Sequence, residues 1–274
     1  MTARLTRVLW HLLLLVVVLV FVAPIVWFLL LAIRPPQSGT ASSHSLLFVP
    51  DLSALKYVFV SPGTGRSALW ASLIQAGGAT LIAMPLVIAA SYGLTRFTFR
   101  GRSLLSTWYL GLMLAPPVVF VLPLFVVLSR VGLVGGNIGV ILAFQTFAVP
   151  LGVLLLRGFF ADIPVEIEEA AQVDGCGRLR CLVTVVLPMV APGLVVAGVF
   201  VFVFCWNNLI FAMPMTGGDS VPLTVRALSF FATSGISWNY IAATSAVSMA
   251  VPMLLFWLFR RHIVSGLTFG AVKG

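Results

Sequence analysis

At 274 residues, 61% hydrophobic and only 8% charged, the chain carries more apolar surface than a soluble core of that size can bury. That excludes an ordinary globular protein and points to a polytopic membrane protein. The net charge of +9 does not argue for nucleic acid, because the basic residues stand at the ends of apolar runs rather than in a patch interleaved with aromatics.

A run of about 20 apolar residues crosses the hydrocarbon layer. Six such runs are expected, at residues 9–33, 68–94, 104–128, 137–156, 189–213 and 240–259, in one all-α membrane domain over 1–274 with no internal repeat. Arg4 and Arg7 resemble the start of a signal peptide, but the apolar run exceeds the roughly 7–15 residues of an h-region, so an uncleaved first span is expected. Arg4, Arg7, Arg96, Arg100, Arg102, Arg157, Arg178, Arg180, Arg260, Arg261 and Lys273 fall on one side of these spans. Arg34, Lys56, Arg66, Arg130 and Arg226 fall on the other. The positive-inside rule then places both termini in the cytoplasm. The outward loop 34–67 contains a short helical stretch at 53–59, with Asp51 available as a cap and an amphipathic LSALKYVF segment suited to the outer membrane surface. The loop 214–239 has turn signals at Gly217-Gly218 and Ser234-Gly235.

Residues 162–188, DIPVEIEEAAQVDGCGRLRCLVTVVLP, form the only long polar segment in the second half, and five of the chain's seven carboxylates lie in it: Asp162, Glu166, Glu168, Glu169 and Asp174. Pro164 suits a first helical turn, and the three glutamates suit the positive end of a helix dipole. Ile163, Ile167, Ala170 and Ala171 share one small apolar face that another protein could approach closely. Gly175 stands where a left-handed cap would end this helix, and residues 178–186 restart one. By spacing alone the segment is either a solvated loop helix or a surface gripped by a partner.

Inside the spans the clearest polar cluster is Trp206-Asn207-Asn208. Amides bonding hydroxyls and a ring packing on C–H faces suit a sugar, whereas interhelical bonding or the capping of a helix break before Pro214 suits the pair equally. Gln145 and Gln75 fit helix–helix hydrogen bonding better than substrate contact, and Gln145 is kept as a candidate on the substrate path. Cys176, Cys181 and Cys205 form no C-x-x-C pair and have no histidine at ligand spacing, so they read as small apolar fillers and no metal site is expected.

Several chemistries lack their residues. A P-loop needs lysine followed by Ser or Thr, but Lys56 precedes Tyr57 and Lys273 precedes Gly274. The expected spans hold no Asp, Glu, Lys or Arg, which weakens a proton- or ion-driven carrier. His11, His44 and His262 have no nucleophile or carboxylate constellation around them, so no catalytic residue is assigned.

Glu169-Ala170-Ala171, three residues, Gly175, nine residues, Val185, one residue and Leu187-Pro188 resemble the EAA signature of ABC importer permeases, with Val185 where the family usually has Ile. WNNLIFA at 206–212 and RRHIVSGLTFGAVKG at 260–274 are similar to segments of the carbohydrate-importing subgroup, typified by the second permease subunit of maltose-type importers. The resemblance implies the type I importer fold, with a cytoplasmic coupling helix between spans 4 and 5. Glu169, Ala170, Ala171, Asp174, Gly175, Leu187 and Pro188 would then carry the contact with the ATPase. Trp206, Asn207, Asn208 and Gln145 would line the substrate path, and the tail at Lys273 and Gly274 would reach the ATPase interface. It implies a different second permease chain, two ATPase subunits that bind the ATP and magnesium, an extracellular solute-binding lipoprotein and a sugar substrate. The location implied is a prokaryotic inner or plasma membrane, with no cofactor in this chain. Glycerol-phosphate esters are the alternative substrate within the class, and an ion-coupled secondary carrier is the alternative outside it.

Overall fold

A computed structural model describes residues 2–35, 48–61, 65–232 and 235–269. Among the described residues the architecture is helical, apart from one short antiparallel strand pair of β1 (Phe231–Ala232) and β2 (Gly235–Ile236). The chain divides into two compact units, Met1–Leu69 with Leu223–Ala250, and Trp70–Pro222 with Val251–Gly274.

The first unit contains α1 (Thr2–Ala32), α2 (Ser53–Val60), the first turn of α3 (Gly65–Arg96), α12 (Leu223–Leu228) and the start of α13 (Trp238–Phe269). Every large apolar side chain of α1 from Val8 to Phe21 is exposed, so this helix offers its apolar surface to lipid or another chain. Ahead of α2, the Asp51 carboxylate accepts hydrogen bonds from the Ser53 amide at 2.8 Å and the Ser53 hydroxyl at 2.9 Å. The backbone bond, and then the hydroxyl bond, hold its pKa below the usual carboxylate value. The expected cap is thus displaced: the cap position is Leu52, without a side-chain cap bond, and Asp51 bonds the first helical residue from one position further out. Tyr57 meets Phe230 and Tyr240 edge-on at 5.6 and 5.3 Å, which packs α2 against the segment after α12 and the start of α13.

The second unit is centred on α6 (Asn137–Ala161), the span-length helix with the largest buried share, which packs against α4 (Arg102–Leu114), α10 (Ala191–Trp206) and α11 (Leu209–Met215). Small residues permit the close approach: a Cβ on Gly152 would stand 2.5 Å from Val87 Cγ2 and 3.3 Å from Val201 Cγ2. The buried core of this unit includes Val87, Val153, Leu156, Phe160, Val186 and Ala197.

Among the described residues, four helices are long and apolar enough to cross a membrane, and up to six spans result if each of two bent helix pairs counts as one. The third expected span, 104–128, is one of these pairs. Instead of running straight, α4 and α5 (Val118–Arg130) meet at 102°. Ala115, held extended at ψ 136° by the proline after it, and the Pro116-Pro117 pair break the helix. The fifth, 189–213, differs as well. Its continuous part is α10, preceded by an arm bent 81° away and followed by a break before α11. The arm runs from α8 (Arg178–Cys181) through a π-helical turn at Leu182–Val186 to α9 (Leu187–Met189). In it the Leu187 amide donates to the Leu182 carbonyl, just before Pro188, which has no amide to donate. The last helix, α13, extends well past the expected 240–259 at its C-terminal end.

Candidate functional site

The polar segment forms α7 (Val165–Val173), a tight turn and the bent arm. Pro164 sits at the cap position rather than inside the first turn, at φ −57° and ψ 134°. Glu166 and Glu168 follow in the first turn, where the helix dipole favours a carboxylate. At the other end the chain closes a Schellman motif. The Gly175 amide donates to the Gln172 carbonyl and the Cys176 amide to the Ala171 carbonyl, each at 3.0 Å. Gly175 has φ +86°, the left-handed conformation expected for it, and it lets α8 begin at once in a new direction.

The two faces of α7 are not those the spacing predicts. Ile163, Ile167 and Ala171 turn into the core of the second unit, leaving Ala170 on the open side, so the small apolar face is covered by the chain's own helices. Burial of aliphatic side chains against α3 and α6 outweighs their display to a partner. The open face carries Val165, Glu166, Glu169, Ala170 and Asp174, with Val173 at 88% exposure. Pro188 is exposed, while Leu187 is half-buried against the core.

The residue that sequence reasoning missed is Glu168. Its neighbour Glu169 is exposed, but Glu168 is only 3% exposed. Its carboxylate accepts from Arg96 Nε at 2.5 Å and from the Tyr92 hydroxyl at 2.8 Å. Arg96 Nη2 also donates to the Ile163 carbonyl at 2.9 Å. Tyr92 and Arg96 lie one helical turn apart at the end of α3, a spacing visible in the sequence, although nothing in it names their partner.

The span candidates occupy the break between α10 and α11. Trp206 is buried and stacks on Phe202 at 5.7 Å. Asn207 is exposed and its Nδ2 donates to the Val203 carbonyl at 3.0 Å, within its own helix. Asn208 caps α11, its Oδ1 accepting from the Phe211 amide at 3.2 Å. Gln145 donates across helices to the Ala79 carbonyl at 3.2 Å, and also to the Ile141 carbonyl at 2.9 Å in its own helix. Gln75 is buried and joins Asn137 Oδ1 and the Ser220 carbonyl at 2.9 and 2.7 Å. Lys273 and Gly274 lie outside the described residues.

A family model described as binding-protein-dependent transport system inner membrane component matches residues 82–268. The chain is 32% identical over 264 residues to the trehalose transport system permease protein SugB of Mycobacterium tuberculosis (strain CDC 1551 / Oshkosh), covering 92% of each chain. It is 29% identical over 272 residues to the osmoprotective compounds uptake permease protein GgtD of Synechocystis sp. (strain ATCC 27184 / PCC 6803 / Kazusa), covering 96% of this chain and 91% of that one. Among solved structures, a chain of a bacterial ABC transporter involved in the import of the acidic polysaccharide alginate matches with a TM-score of 0.77 at 19% identity, covering 95% of this chain and 97% of that chain. The fold is thus that of ABC importer permeases, which are transport components and not enzymes. The chain belongs to the binding-protein-dependent transport system inner membrane component family.

Proposed function

We propose that this chain forms half of the translocation path of an ATP-driven importer for a sugar or oligosaccharide delivered by an extracellular binding lipoprotein. Its other half is a different permease chain. Two ATPase subunits bind the ATP and magnesium, and α7 with its open face is the coupling helix that docks into them. The observation that carries this reading is the segment 162–188 itself. A Schellman turn at Gly175 presents Glu169, Ala170, Val173 and Asp174 outward at the polar boundary of an otherwise apolar fold. The trehalose relative supports a sugar, and the absence of Lys and Arg from the expected spans supports an uncharged one. Counting each bent pair as one span gives six, with both termini cytoplasmic under the positive-inside rule. On this reading Trp206, Asn207, Asn208 and Gln145 border the path, and the tail with Lys273 and Gly274 approaches the ATPase.

The test is uptake by the complex purified through a tag on this chain and reconstituted in vesicles. Sugar accumulation should require magnesium-ATP on the cytoplasmic side, and the ATPase should co-purify. Cysteine at position 219 should be labelled from outside, and cysteine at position 98 should not. Uptake driven by an ion gradient without ATP, or the reverse labelling pattern, would overturn the reading.

A further inference from the structure

Two neighbouring glutamates of α7 are placed in opposite environments. Glu169 is exposed, whereas Glu168 is sealed against the end of α3. The seal has several parts within the second unit. Arg96, itself 8% exposed at the side chain, gives one N–H to the Glu168 carboxylate and another to the Ile163 carbonyl just ahead of α7. Tyr92 gives its hydroxyl to the other carboxylate oxygen while its ring meets Phe97 and Phe160 edge-on, both at 5.8 Å. Beyond the turn, Arg178 lies over the Phe97 ring at 5.3 Å, so the second arm of the segment touches the same helix end.

A buried ion pair is weak evidence for added stability, since apolar residues of similar volume often serve as well. What it does supply is directional, charge-assisted geometry that slippery aliphatic contacts lack. The Ile163, Ile167 and Ala171 face alone would hold α7 near the core without fixing its position along α3.

We infer that Glu168, Arg96 and Tyr92 are positioning residues that latch the coupling helix to the end of α3, so that a displacement of α7 is carried into a span-length helix. The inference rests on the proposal that segment 162–188 docks the ATPase. Glu169 faces the partner, and Glu168 faces the span that must follow. The latch passes motion and does not bind the ATPase.

The test uses the whole complex purified through a tag on this chain, with Glu168→Ala, Arg96→Ala, the double variant and Gly175→Asp compared. Glu168→Ala should retain the ATPase in wild-type proportion but lose at least ten-fold in sugar uptake and in the sugar-dependent increment of ATP hydrolysis. The double variant should be no worse than the poorer single variant, because both remove one latch; independent roles would multiply the losses. Tyr92→Phe, which leaves the ion pair in place, should fall between wild type and Glu168→Ala. Uptake by Glu168→Ala within two-fold of wild type would overturn the inference. So would loss of the ATPase from that variant, which would assign the carboxylate to docking or folding. Multiplying losses in the double variant would do the same. If Gly175→Asp leaves uptake and ATPase recovery intact, the docking reading falls and the latch with it. If Gly175→Asp abolishes uptake while Glu168→Ala does not, the latch alone falls.

Discussion

Two polar interruptions break the apolar runs of the second unit, and they satisfy their polar groups in opposite ways. At the break after Trp206 each asparagine finds a partner within four residues: Asn207 bonds Val203, and Asn208 bonds Phe211. In the segment around α7, Glu168 reaches Tyr92 and Arg96, 76 and 72 positions away. A break capped by its own neighbours keeps its shape if the surrounding helices shift. A break fastened to a distant helix cannot move without moving that helix or breaking the bond. The first kind suits a local kink, and the second suits a joint between α7 and α3.

The comparison is broken most severely at Gly175. Any side chain there must adopt φ +86°, at about 1–2 kcal/mol for a non-glycine residue. Nothing described stands within 4 Å of a Cβ at that position, so the cost is conformational rather than steric within this chain. Gly175→Asp should leave the chain inserted but abolish sugar uptake, and ATPase recovery on the tagged chain should fall with it. Intact recovery with normal sugar-stimulated hydrolysis would make 162–188 a passive loop.

A packing variant supplies the middle of the scale. Gly152→Leu pushes a side chain into Val87 and Val201, an overpacking cost of about 1–3 kcal/mol. It should lower the melting temperature of the purified complex by several degrees without a selective loss of sugar stimulation. A selective loss with unchanged melting would mean that the α3–α6–α10 contact, and not α7 alone, carries coupling.

The locally capped break should respond least. Asn208→Leu removes the α11 cap, at about 1 kcal/mol, and should lower thermal stability slightly. Asn207→Leu removes only a bond to its own helix, so its stability should match wild type while uptake falls if the exposed amide meets the sugar. Normal uptake in both variants would remove this pair from the substrate path and leave it as helix punctuation.

Much of this was legible in the residues. Apolar run lengths pointed to the long apolar helices at 6–32, 65–96, 137–161 and 238–263, because a hydrocarbon layer demands a minimum length whatever the packing. Gly175 announced its turn, since a left-handed cap depends on the backbone within a few positions. The prolines at 116 and 117 were equally visible, but not that α4 and α5 would meet at 102°. The size of a bend is set by the helices against which each half packs. The covered side of α7 was likewise decided by tertiary structure. Periodicity groups Ile163, Ile167, Ala170 and Ala171, but only the core of the second unit determines which edge of that stripe is buried. Glu168 shows the limit most clearly. In sequence it is one of two adjacent glutamates, chemically equivalent to Glu169. The fold distinguishes them by bringing Arg96 and Tyr92 to one and leaving the other in the open, because a charge is buried only where a partner of opposite charge has been carried to it.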